Sequence, residues 1–104
     1  MGETMNDSLV LLSNHFDQVV LDVLGPVRTQ KRVDDAALAR MISILDDLAE
    51  VLGQEEYVPR KLVGDLWYVF TAMLAEASHA KDPSGILSAA WQIQERLERI
   101  FGPS

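Results

Sequence analysis

The chain has 104 residues, 48% of them hydrophobic, and it contains no cysteine. This length supports one domain with a single core, and the lack of cysteine excludes a disulfide framework or a zinc–thiolate site. Sixteen acidic and nine basic residues give a formal net charge of −7, which repels phosphate backbones and anionic lipid. We therefore expect one cytoplasmic domain over residues 1–104, with no nucleic-acid or membrane partner.

The first predicted helix spans residues 8–24, directly after Asp7. Apolar residues recur every three or four positions from Leu9 to Val23, as on one face of a helix. Gly25-Pro26 follows, and such a pair commonly stands just beyond a helix end. The sequence therefore predicts that the helix stops there, before a basic connector that contains Arg28, Lys31 and Arg32.

The second predicted helix spans residues 35–52 and has the clearest division into two faces. Asp34 or Asp35 stands at its start, where a carboxylate can accept bonds from free backbone N–H groups. One face is apolar and predicts a buried stripe. The opposite face is acidic and contains Asp46, Asp47 and Glu50, which we expect to be available to a partner.

The third and fourth predicted helices span residues 59–80 and 83–101. Pro59 suits a first helical turn, and Asp82-Pro83 suits a helix start. The apolar residues of the third helix, Trp67 among them, cover more than half of its circumference, which predicts a central helix. Short connections favour antiparallel neighbours. The sequence thus predicts an all-α fold, an antiparallel up-down-up-down four-helix bundle.

Two patterns could carry chemistry, and both are incomplete. Glu76 and His79 have the Glu-x-x-His spacing found in di-iron bundles, but a full site needs a second such pair and two further glutamates. His15 could pair with an aspartate, yet no nucleophile with an orienting third group accompanies it. We therefore expect no metal, no cofactor and no enzymatic activity.

Arg60 and Lys61 stand at the start of the third helix, where positive charge opposes the helix dipole. The neighbouring Glu55 and Glu56 could compensate them by local pairing. The alternative is an anion or acidic partner bound at this helix end, together with the basic connector.

Trp91 lies outside the inward stripe of the fourth helix, in which Ile100 or Phe101 is the last member. An aromatic ring at such a position either folds over the core edge or anchors a partner, since tryptophan is enriched at binding hot spots. Leu87 accompanies it. Further apolar residues away from the main stripes, namely Tyr68, Val10, Leu11 and Leu21, indicate a second apolar surface.

The leading hypothesis is a non-enzymatic protein–protein interaction module that masks or neutralises a protein partner. The partner would be a basic protein or a second copy of the chain in a homodimer. Trp91, Leu87 and Tyr68 would be apolar contacts, beside the acidic face of the second helix. In size, acidity and cysteine-free composition the chain is similar in type to the bacterial immunity proteins, which neutralise basic toxin domains. The alternative is a small ligand- or metal-binding bundle that uses Glu76 and His79, and an enzyme comes third.

Overall fold

A computed structural model describes residues 2–53 and 55–102, with side chains from Asp7 onward. It contains four helices: α1 (Gly2–Gln30), α2 (Asp35–Leu52), α3 (Arg60–Ala77) and α4 (Ser84–Phe101). No strand occurs within these described ranges. The predicted all-α class with four helices is therefore confirmed, and the predicted bounds of α2 match the observed ones.

The predicted end of α1 is wrong, because the helix continues through Gly25-Pro26 for 29 residues in all. Proline lacks the N–H that would bond the carbonyl of Asp22, which weakens a helix interior. Val27, however, is completely buried. Helical continuation places Val27 in the core beside the earlier apolar residues of α1, and this burial offsets the lost hydrogen bond.

The two ends of α1 also differ from prediction. The helix begins at Gly2, so Asp7 is an exposed position within it rather than a residue before it. At the other end Lys31 adopts a left-handed conformation with φ 54°. Its N–H donates to the Val27 carbonyl (3.1 Å), and the Arg32 N–H donates to the Pro26 carbonyl (3.4 Å). A non-glycine left-handed residue therefore ends this helix.

The other helix starts follow their aspartates closely. The Asp34 carboxylate accepts from the N–H groups of Ala36 (3.0 Å) and Ala37 (3.1 Å), which caps α2. Asp82 accepts from the backbone N–H and the hydroxyl of Ser84, and these bonds hold the pKa of its carboxyl below the usual value. The third helix begins one residue after Pro59 and ends three residues before the predicted Ala80.

The helices pack as a bundle in the cyclic order α1–α2–α4–α3. The consecutive pairs α1/α2 and α3/α4 are neighbours, whereas α2 and α3 lie across the diagonal. All four helices contribute to one core, and no polar side chain of the described residues is buried. Among those residues, no helix combines the length and apolarity needed to cross a bilayer. The fully buried large side chains include Phe16, Met41, Leu45, Leu66, Met73 and Ile93.

Candidate functional site: an exposed aromatic surface on α3 and α4

A continuous line of four aromatic rings runs from α4 to α3 and back to α4. The Trp91 ring centroid lies 6.2 Å from that of Phe70, and Phe70 lies 5.9 Å from Trp67 in an edge-to-face arrangement. Trp67 in turn stacks on Phe101 at 6.2 Å. Leu87, one helical turn before Trp91, packs against the core beside this line. We call these five residues the aromatic surface.

The two tryptophans lie at the margin of the core because each directly follows a buried residue on its helix. Leu66 precedes Trp67 and Ala90 precedes Trp91, and both preceding residues are fully buried. A step of one residue turns a helix by about 100°, so each indole lies at the edge of the buried stripe. Phe70, which is 8% exposed, supports the inner side of both rings, while Trp91 remains 52% exposed. Trp91 thus covers the edge of the core with one side of its ring and leaves the other side exposed to a partner, so both alternatives stated for it from the sequence apply in part.

Two residues assigned to the inward-facing stripes of their helices are partly exposed. Trp67 is 41% exposed, although its spacing assigns it to the apolar arc of α3. Of the pair at the end of α4, Ile100 is buried and Phe101 is 37% exposed. The sequence signal that could have found Trp67 is its place between Gly64 and Thr71, which lie on the outer side of the same helix.

The outer face of α3 adjoins the aromatic surface, and after Arg60 at the helix start its positions carry no charged residue. Helical spacing of three and four places its members on one side, and all of them are exposed. Two adjacent large rings are flanked there by small residues. We call this set the α3 outer face, and it comprises Gly64, Trp67, Tyr68, Thr71, Ala75 and Ser78.

Tyr68 lies on the far side of the α3 outer face from Trp91, next to α1. Its hydroxyl accepts a hydrogen bond from the guanidinium of Arg28. The carbon of the same guanidinium lies 5.8 Å from the centre of the Tyr68 ring, beyond its hydroxyl. Tyr68 is therefore held at the α1 margin and remains 51% exposed.

The acidic residues of α2 do not adjoin the aromatic surface. Asp46 faces α4, where it accepts from Arg96 Nε at 3.3 Å and from Arg99 Nη1 at 3.5 Å. Asp47 and Glu50 are exposed, and neither takes part in an ion pair within the described part of the chain. Because α2 lies diagonally opposite α3, the predicted contact residues fall on two separate sides of the bundle.

The compensation of charge at the start of α3 comes from within the helix. Lys61 Nζ lies 2.7 Å from Asp65 Oδ2, one turn later, and this bond raises the pKa of Lys61 above its usual value. The predicted pairing with Glu55 and Glu56 is not among the ion pairs of the described residues. Arg60 is exposed.

The basic connector lies at the other end of α3 from Arg60. Lys31 bonds the carboxylate of Glu76, which lowers the pKa of Glu76 below its usual value. Sixteen residues of helix separate Arg60 from Glu76, a rise of about 24 Å. The two groups of cations therefore cannot bind one small anion together.

The predicted chemical residues are engaged elsewhere or open to solvent. Glu76 is occupied by Lys31, and His79 is exposed beyond the end of α3. Across residues 2–53 and 55–102, no group of three or more His, Cys, Asp or Glu side chains is placed to hold a metal ion. His15 lines a shallow groove between α1 and α2, where Asp22 pairs with Arg40 at 3.2 Å.

Comparisons of this chain with protein-family models, curated proteins and solved structures each find no match.

Proposed function

We propose that this protein is a non-enzymatic interaction module that covers the surface of a protein partner. The observation that supports this proposal is the aromatic surface, in which Trp91 and Trp67 expose about half of their rings while Phe70 fixes their inner edges. Rings that are already held in place lose little conformational freedom on binding, so their burial is efficient.

The pairing of the carboxylates favours an interaction role over an acid–base enzyme. Asp22, Asp65 and Glu76 are each bonded to a cation in the folded chain. An acid–base pair would instead need a carboxylate directed at a substrate or an orienting partner. These ion pairs lie on the outside of the bundle, where they help to fix the surface that a partner would meet.

The proposal includes a cytoplasmic location, which suits a chain without cysteine, and an up-down-up-down chain direction. Contacts between α1 and α2 and between α3 and α4 support this direction, since Asp22 meets Arg40 and Trp67 meets Phe101 as in two antiparallel hairpins. The net charge of −7 favours a basic protein over an acidic one as a heterologous partner. The exposed Asp47 on α2 would attract such a partner.

The proposal is tested by comparative capture followed by reconstitution. Wild-type protein, Trp91→Ala and Tyr57→Ala are immobilised at equal density, and proteins retained from a lysate of the source organism are identified. Tyr57 is the matched control, because it is an exposed aromatic residue in the link between α2 and α3, at 83% exposure. A partner that is then purified should bind Trp91→Ala about 30-fold more weakly than wild type, as expected for a hot-spot ring.

Titration calorimetry and circular dichroism complete the test. Calorimetry gives the dissociation constants, and dichroism confirms that each variant is folded at the assay temperature. Equal dissociation constants for wild type and Trp91→Ala would remove the aromatic surface from the proposed function.

A further inference from the structure

We infer that a second copy of this chain binds the α3 outer face and the adjoining aromatic surface, forming a two-fold homodimer. This inference rests on the proposed function, since it requires that this side of the bundle binds protein. It goes further by naming the occupant. Three properties of the surface support a second copy: its area, the absence of charge from the middle of the α3 outer face, and the separation of large from small residues along that face.

The exposed aromatic area is a large fraction of what a dimer needs. Trp67, Tyr68, Trp91 and Phe101 are between 37% and 52% exposed. Since an aromatic side chain presents about 150–250 Å², these rings leave on the order of 350 Å² in water. A standard interface buries about 800 Å² on each partner. The rings supply somewhat under half of this, and the small residues of the α3 outer face extend the same patch.

The distribution of charge permits self-association despite the net charge of −7. Like charges on two copies repel, but at physiological salt the repulsion is screened beyond about 8 Å. Between Gly64 and Ser78 the α3 outer face carries no Asp, Glu, Lys or Arg. The exposed charges at its margin are Arg60, one turn before Gly64, and Glu98, between Trp91 and Phe101 on α4. The exposed acids Asp47 and Glu50 lie on α2, diagonally across the bundle. Contact through α3 therefore keeps these acidic groups far apart.

The α3 outer face is also suited to meet a copy of itself. A two-fold interface uses the same patch on both subunits, so large groups must face small ones across the axis. Trp67 and Tyr68 lie on one half of this face, while Thr71 and Ala75 continue it with small side chains. A two-fold axis near Thr71 brings the rings of each copy over the small residues of the other and lets the two helices approach closely.

Sedimentation velocity tests the inference with two matched variants. Protein concentrations from about 5 to 500 µM cover the dissociation constants of ordinary weak dimers. Thr71→Glu places a carboxylate beside its own symmetry copy, whereas Ser43→Glu adds the same charge on the exposed outer side of α2. We expect wild type and Ser43→Glu to sediment increasingly as dimers. We expect Thr71→Glu to dimerise at least 10-fold more weakly, because opposed like charges in an interface are costly.

The cysteine-free sequence allows a second measurement that does not depend on weakening the dimer. Thr71→Cys should form a disulfide-linked dimer under mild oxidation, because residues near a two-fold axis approach their own copies. Ser43→Cys should remain monomeric under the same conditions. A wild-type chain that is monomeric at the highest concentration, with no cross-link through Thr71→Cys, would refute the inference.

The outcomes separate this inference from the proposed function. If the chain is monomeric while a purified partner still depends on Trp91, the surface binds another protein and the homodimer is wrong. If dimers form equally in Thr71→Glu and Ser43→Glu, the contact lies elsewhere, and the homodimer through α3 is wrong as well.

Discussion

Gly64→Ala should stabilise this protein, because Gly64 lies in the interior of α3 and alanine is a better helix former than glycine. Gly64 is exposed, its φ is in the ordinary negative range, and a Cβ atom built there has no neighbour within 4 Å apart from the adjoining residues and the helix's own backbone. Alanine would then restrict the unfolded chain and improve helix propensity without a clash. These effects are worth about 0.5–1 kcal/mol in the interior of a helix.

Gly53→Ala is the matched control, since the same substitution should destabilise the protein there. A Cβ atom at Gly53 would lie 2.6 Å from the Ala49 carbonyl oxygen, which belongs to the backbone and cannot move away alone. The last turn of α2 would have to shift. We expect a loss of about 1 kcal/mol or more, in the range of backbone strain at a glycine site.

Both variants are measured by circular dichroism. Thermal unfolding gives the melting temperature, and urea titration gives the free energy of unfolding. A gain of about 0.5–1 kcal/mol for Gly64→Ala corresponds to a melting temperature about 2–8 °C higher in a domain of this size. A decrease of similar size at Gly64 would show that the residue is not at an ordinary exposed helical position. Its place on the outer side of α3 would then be wrong.

Three further substitutions test the core, a helix cap and an ion pair. Leu45→Ala, at a fully buried position, should lower the free energy of unfolding by about 2–5 kcal/mol in urea titration, and a loss under about 0.5 kcal/mol would place Leu45 on the surface. Asp34→Ala should cost about 1 kcal/mol, since two N–H groups at the start of α2 lose their acceptor, whereas Asp35→Ala should cost less. Lys31 lowers the pKa of Glu76, so the ionised pair stabilises the fold at neutral pH and this stabilisation is lost as the pH falls through the lowered value. The melting-temperature difference between wild type and Glu76→Gln should therefore be present at pH 7 and shrink in acid, and a constant difference down to pH 3 would contradict the pairing.

The sequence predicts α2 correctly, because both its capping residue and its buried stripe are recognisable from residues a few positions apart. Asp34 caps α2 through bonds to residues two and three positions later, so nothing distant is needed to recognise it. The same holds for the buried stripe of α2, which includes Met41 and Leu45. The end of α1 was mispredicted because burial of Val27 against other helices outweighs the local preference of Gly25-Pro26.

The arrangement of the candidate site depended on tertiary structure. The sequence alone singled out Trp91, because one residue's rotation from a buried stripe can be calculated without a fold. It could not show that Phe70 supports Trp91 and Trp67 together, since that contact joins α3 to α4. Nor could it show that Asp46 is bonded by Arg96, fifty residues later in the chain. Apart from the end of α1, helix formation here is set by near neighbours, whereas membership of a surface is set by which helices pack side by side.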